Sequence, residues 1–269
     1  MKLSEISAIA NSIAPKSLSD EVCQKYGAYD NSGVIIDCGK DIRKILFALD
    51  LTMPAIERAK ELGADLIVTH HPAIYAKIGS IRVGDLNPLG KKLAACLQNG
   101  ISVLSMHLNL DVAQGGIDEC LKQGVLQSIG QADAQDENVM WEVSQGAYGR
   151  VYVMEERTLG ELLDGMEAVF ESNRILAFGE KDKKICKAAS FCGAGGGDSE
   201  AAFAITNGAD VIISSEFKHH VLSLCMESGV AVVQMTHYAS EYYGFKKYYE
   251  KMSRQVGIEC FCFREDSLL

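Results

Sequence analysis

Two stretches of this 269-residue chain occur twice, and that repetition limits the fold more than any other feature. "LGADLIVT" (62–69) matches "NGADVIIS" (207–214), and "NGISVLSMH" (99–107) resembles "SGVAVVQMTH" (228–237). Each is an apolar run without polar alternation, as expected of strands covered on both faces of a mostly parallel sheet. Helical patterns interleave with them: "MPAIERAKELG" before 64, "PLGKKLAACLQNG" before 101, "DSEAAFAITNG" before 209 and "HVLSLCMESG" before 230. Strands at "KILFALDLT" (44–52) and "CKAASFCGAGGG" (186–197) open the two copies. The expected fold is therefore α/β, with two similar lobes made by internal duplication of one βαβαβ unit.

The first lobe is expected over 1–126, with C-terminal residues free to join it, and the second over 150–269. The polar, aperiodic segment 127–149 is expected to connect them. "RVYVMEER" continues as a strand, and Thr158-x-x-Glu161 has the form of a capping box opening the helix "LGELLDGMEAVF". The N-terminal twenty residues carry polar and acidic groups throughout, which suits an amphipathic helix of the fold rather than a signal peptide.

Composition narrows the partners. A net charge of −10 argues against a broad nucleic-acid footprint. No apolar run approaches the roughly 20 residues of a membrane span. Nine scattered cysteines without a C-x-x-C suit reduced thiols in a cytoplasmic protein.

All six histidines lie at or soon after the carboxyl end of a strand, where α/β sheets collect binding groups. His70 and His71 follow "ADLIVT", His107 follows "ISVLSM", His219 and His220 follow "ADVIIS", and His237 follows "VAVVQM". Asp111, Glu216 and Glu241 accompany them. Past a strand end, neighbouring imidazoles can serve two ions, and His237 and Glu241 share a helix face. Two histidines with Asp111, His237 and Glu241 would form a two-metal site of nitrogen and oxygen ligands, suited to Zn, Mn, Fe, Co or Ni. Each feature alone has a plain structural reading, as a hydrogen-bonded histidine or a helix-surface pair. Their shared placement in two repeated lobes favours metal. The loop "CGAGGGD" (192–198) has two readings. Gly193, Gly195 and Gly196 would let backbone N–H groups meet a substrate anion, or the loop is a tight turn with Asp198 or Ser199 as helix cap. The aromatic run 242–252 suits core and subunit packing, with its lysines in solvent.

"THHP" (69–72), "HLNLD" (107–111) and "HYASE" (237–241), in that order, resemble the GTP cyclohydrolase I type 2 homologues, the NIF-three-like proteins. "YDNSGVIIDCG", "CGAGGG" and "SSEFKHH" add to the resemblance, which covers nearly the whole chain in its short form, without an inserted domain. "GGID" after the aspartate motif and "SSE" in the second lobe depart from the usual family pattern but leave the ligands intact. The resemblance implies two α/β lobes facing each other across a dinuclear metal site, two divalent ions per chain, and a homohexamer. It implies ligands His70, His71, Asp111, His237 and Glu241, with Glu241 shared between ions. The expected activity is a metal-dependent hydrolase acting on a nucleotide or another small phosphate-containing anion. Glu216 or His220 would carry the proton, and His107 would meet the substrate. The competing reading is a metal-binding scaffold or metal-handling protein without turnover.

Overall fold

The computed structural model describes residues 1–84 and 86–269. It is a mixed α/β fold with two sheets, and the chain divides into two compact units. The first takes Met1–Ala113 and Phe245–Arg264; the second takes Gln114–Gly244 and Glu265–Leu269.

In the first unit the elements are α1 (Leu3–Ile13), α2 (Lys16–Tyr26), β1 (Gly33–Ile36), β2 (Lys44–Ala48), α3 (Met53–Leu62), β3 (Leu66–Thr69), α4 (Leu89–Asn99), β4 (Ser102–Ser105) and α5 (Leu108–Val112). The second unit holds α6 (Ile117–Ser128), β5 (Asp136–Val143), β6 (Gly146–Thr158), α7 (Leu159–Val169), β7 (Leu176–Phe178), β8 (Lys184–Ser190), α8 (Asp198–Thr206), β9 (Val211–Ser215), α9 (His219–Glu227) and β10 (Ala231–Met235). Helix α10 (His237–Val256) has residues in both units, and β11 (Glu259–Cys262) belongs to the first.

The duplication is visible in topology. The first sheet has the order β1-β4-β3-β2-β11, the second β5-β6-β8-β9-β10-β7. Within them β2, β3, β4 and β8, β9, β10 are matching parallel triplets, and β1 and β7 each run antiparallel beside the third strand. The repeated aspartate does the same work twice. Asp65 Oδ2 accepts the Arg43 backbone N–H at 2.9 Å, and Asp210 Oδ2 accepts that of Cys186 at 2.9 Å. Each thereby pins the entrance of its first parallel strand beside the second. Most buried residues of β2, β3, β4, β9 and β10 are apolar, as doubly covered strands require, and the exceptions Thr69, Ser102, Ser105, Ser214 and Ser215 carry small hydroxyls.

The unit boundary and the expected connector differ from the sequence reading. The first unit ends at Ala113, so α6 belongs to the second unit rather than to a lobe ending at 126. Residues 127–149 are not a linker: β5 pairs with β6 as a hairpin closed over Ser144 and Gln145, and the Trp141 ring packs, tilted, against its cross-strand partner Tyr148. β5 is an edge strand with little buried surface, so it carries no period-two signal. The single N-terminal helix is two, α1 and α2, because Pro15 lacks an N–H to continue the first. The capping box at Thr158 and Glu161 is present.

Part of α10 closes the first core. Phe245, Tyr248 and Tyr249 pack on Phe47 of β2 with ring centroids 5.2–6.5 Å apart. Lys246 and Lys247 on the same helix are exposed. In the second unit the "GGID" aspartate is fully buried. Asp118 accepts from Arg150 Nε at 3.0 Å and from the backbone N–H of Cys192 at 3.3 Å, so it ties α6 to β6 and to the start of the glycine loop.

Candidate metal centre

In the first unit strand order brings the ligand candidates together. β3 ends at Thr69, and the backbone N–H groups of His70 and His71 both donate to Leu49 O as the chain leaves the sheet. The rings follow the same turn, with centroids 4.7 Å apart, rather than pointing to opposite faces as residues within a strand would. β4 lies beside β3 and delivers His107 at its end. One ligand-capable atom from each of His70, His71 and His107 lies within 4.8 Å of the others.

The partners of the opposite ring nitrogens settle the tautomers. His70 Nδ1 lies 2.7 Å from the carbonyl oxygen of Met106, which can only accept, so the proton sits on Nδ1. His71 Nδ1–H donates to Asp50 Oδ1 at 2.9 Å, and His107 Nδ1–H to Asp30 Oδ1 at 2.8 Å. All three rings therefore present the Nε2 lone pair. A ring nitrogen held by a carbonyl or carboxylate while the other stays open is the usual support for a metal-ligating histidine. Burial works against the Asp30 charge, but His107, Ser19 and Ser32 outweigh it and hold this carboxyl well below the usual range.

Asp111, on α5, completes the set. Its Oδ1 lies 3.3 Å from His70 Nε2, and both groups are buried. With the His70 proton on Nδ1, two lone-pair atoms face each other there, an arrangement that a cation between them relieves. Two donors bound at roughly 2.1 Å to one ion lie about 3.0–3.4 Å apart, so this spacing fits a shared divalent ion.

The second unit holds the other candidates. His237 opens α10, with Nε2 3.1 Å from Glu241 Oε1 and Nδ1 3.0 Å from Glu216 Oε1. Burial alone would depress this imidazole, yet the two carboxylates raise its pKa to about 9. When a metal replaces the proton at Nε2, the same carboxylates favour it for the same electrostatic reason. Glu216 adopts φ 61°, a left-handed conformation uncommon outside glycine and asparagine. Gly193 packs directly on the pair: at φ 61° it sits so close that an added Cβ would overlap Glu241 Oε1.

Each sequence candidate thus has a place. His70, His71, His107 and Asp111 converge in the first unit, and His237, Glu241 and Glu216 in the second. Glu216 is bonded to His237 Nδ1. His220 pairs with Asp198 at 2.9 Å on an exposed surface. The glycine loop is packed tightly, since a Cβ on Gly195 would strike Phe191 and on Gly196 the Ser215 carbonyl. Gly197, rather than Asp198 or Ser199, is the cap of α8, and Asp198 and Glu200 occupy its first turn. Asp30 and Asp50 were missed by sequence reasoning. Asp50 follows the carboxyl end of β2, so the strand-end argument applied to carboxylates would have found it.

A two-lobed α/β protein with imidazole and carboxylate clusters able to hold metal ions is the class that fold and site define. The chain belongs to the Duf34/NIF3 (NGG1p interacting factor 3) family, whose profile matches residues 1–267. It is 30% identical over 267 residues to a GTP cyclohydrolase 1 type 2 homolog of Clostridium perfringens, covering 95% of this chain and 93% of that one. Among solved structures it superposes on reduced HcgD from Methanocaldococcus jannaschii with a TM-score of 0.80 and 28% identity, covering 98% of each chain. A Bacillus cereus protein related to NIF3 shares the fold, with a TM-score of 0.76 at 20% identity over 97% of this chain and 96% of that one.

Proposed function

We propose that the protein is a metal-dependent hydrolase of a nucleotide or another small phosphate-containing molecule. Its ligands for two divalent ions are His70, His71, Asp111, His237 and Glu241, the set that the sequence resemblance implies. The observation that carries this reading is the bond made at Nδ1: in His70, His71, His107 and His237 this atom meets an oxygen acceptor, so Nε2 is the ring atom that would meet a metal. Divalent ions in such a site supply Lewis acidity and a water of lowered pKa.

The chain's own residues have separable tasks. Asp50 and the Met106 carbonyl set the tautomers of His71 and His70, and Glu216 sets that of His237. Glu216 is thus a positioning group for His237 rather than a proton carrier. His107, backed by Asp30, presents Nε2 to a substrate hydroxyl or amine and can take up its proton. Relatives that are GTP cyclohydrolase 1 type 2 homologs make GTP one candidate among the nucleotides. Assembly as a homohexamer is part of the same proposal and follows the sequence resemblance.

The test combines elemental analysis of protein purified without chelator with a nucleotide and phosphate-ester panel assayed under added Mn or Zn. Two ions per chain and metal-dependent turnover are expected. Bound metal without turnover of any panel member would transfer the protein to the metal-handling class.

A further inference from the structure

The first unit contains a cavity of about 570 Å³ beside His71, within the size range of small-molecule sites. Asp50, His71, Lys77 and Lys92 are among the residues that line it. Lys77 comes from the segment between β3 and α4, and Lys92 from the first turns of α4. Neither ammonium has a carboxylate partner among the described residues. Asp50, the acid of the cavity, is engaged by His71 Nδ1. Tyr75 and Ile78 add exposed apolar surface, 51% and 38% accessible, and the Tyr75 ring meets His107 edge-on with centroids 5.9 Å apart.

Two cations without a carboxylate partner among the described residues line one cavity in a chain of net charge −10, a local reversal of sign. Lysine ammonium groups act as point charges, and a pair of them matches a phosphate dianion better than a single carboxylate. We propose that this cavity binds the phosphate group of an aryl or heteroaryl phosphate: Lys77 and Lys92 hold the phosphate, and the ring lies against Tyr75 and Ile78. It rests on the proposed function only for the idea that a phosphate-bearing substrate reaches His71.

The probe is phenyl phosphate, titrated calorimetrically into the full-length protein before and after chelator treatment, with phenol as the neutral comparison. The expected result is binding of phenyl phosphate and not phenol, weakened about tenfold in Lys77→Gln and in Lys92→Gln, the scale of a lost charged hydrogen bond. Metal content and melting temperature should match wild type in both variants. No binding by wild type, equal binding of phenol, or unchanged affinity in both variants would overturn the proposal. The two readings fail separately. Lysine-dependent binding in a protein that holds no metal upholds the cavity and removes the hydrolase. Turnover of a phosphate substrate with KM unchanged in both variants removes the cavity and keeps the hydrolase.

Discussion

Glu216 Oε1 lies 3.0 Å from His237 Nδ1, and the backbone of Glu216 is held at φ 61° to place it there. A strained residue whose carboxylate meets the imidazole of a proposed ligand is best explained as a device for aiming that ring. Glu216→Ala should therefore weaken metal affinity by about 10–100-fold, the usual effect of losing such support. Glu216→Gly should lose affinity equally while melting no lower than wild type, because glycine tolerates the left-handed backbone. Competition against a chromogenic chelator, with melting curves, reads both. Unaltered metal affinity with lost turnover would restore Glu216 as a proton carrier.

Gly193 is required both for its backbone angle and for the space it leaves beside Glu241. Gly193→Ala should cost about 1–3 kcal/mol of stability, from strain and overlap together. Because the overlap falls on an oxygen of the proposed ligand Glu241, metal content should drop as well. Denaturant unfolding and elemental analysis on the same preparation check this; a variant with normal metal content would show that Glu241 can move aside.

Asp118 is buried against Arg150, whose guanidinium is also nearly inaccessible. Removing one member strands the other charge, so Asp118→Ala should destabilise the protein by about 3–5 kcal/mol. Urea unfolding measures it, and a loss below 1 kcal/mol would mean that water reaches Arg150.

Asp30 supplies the pH prediction. Its folded-state pKa is depressed, so its contribution is complete above the unfolded value, about 3.9, and fades as pH falls through the folded value. The stability difference between wild type and Asp30→Asn should stay constant from neutral pH down to about 5 and shrink below about 4. A difference that grew on acidification would contradict the assignment of Asp30 as an ionised acceptor for His107.

The sequence by itself determined the repeated unit, the parallel strands and the identity of nearly every imidazole and carboxylate in the two clusters. These are local signals: apolar runs of four or five residues, glycine helix ends such as Gly63 and Gly100, and histidines just past strand ends. Apart from the i,i+4 pair His237–Glu241, tertiary structure alone decided which carboxylate meets which imidazole. Parallel register pairs Ala48 with Thr69, which carries Asp50 alongside His71 two residues further on. Register likewise pairs Met235 with Ser215, bringing Glu216 to His237, and the antiparallel pairing of Gly33 with Ser105 brings Asp30 to His107 across 77 residues of chain. No periodicity encodes those meetings, because they depend on the order in which strands lie side by side. The hairpin of β5 is hidden from the sequence for a related reason: an edge strand in which only Val143 is buried leaves no clear pattern of burial in its residues.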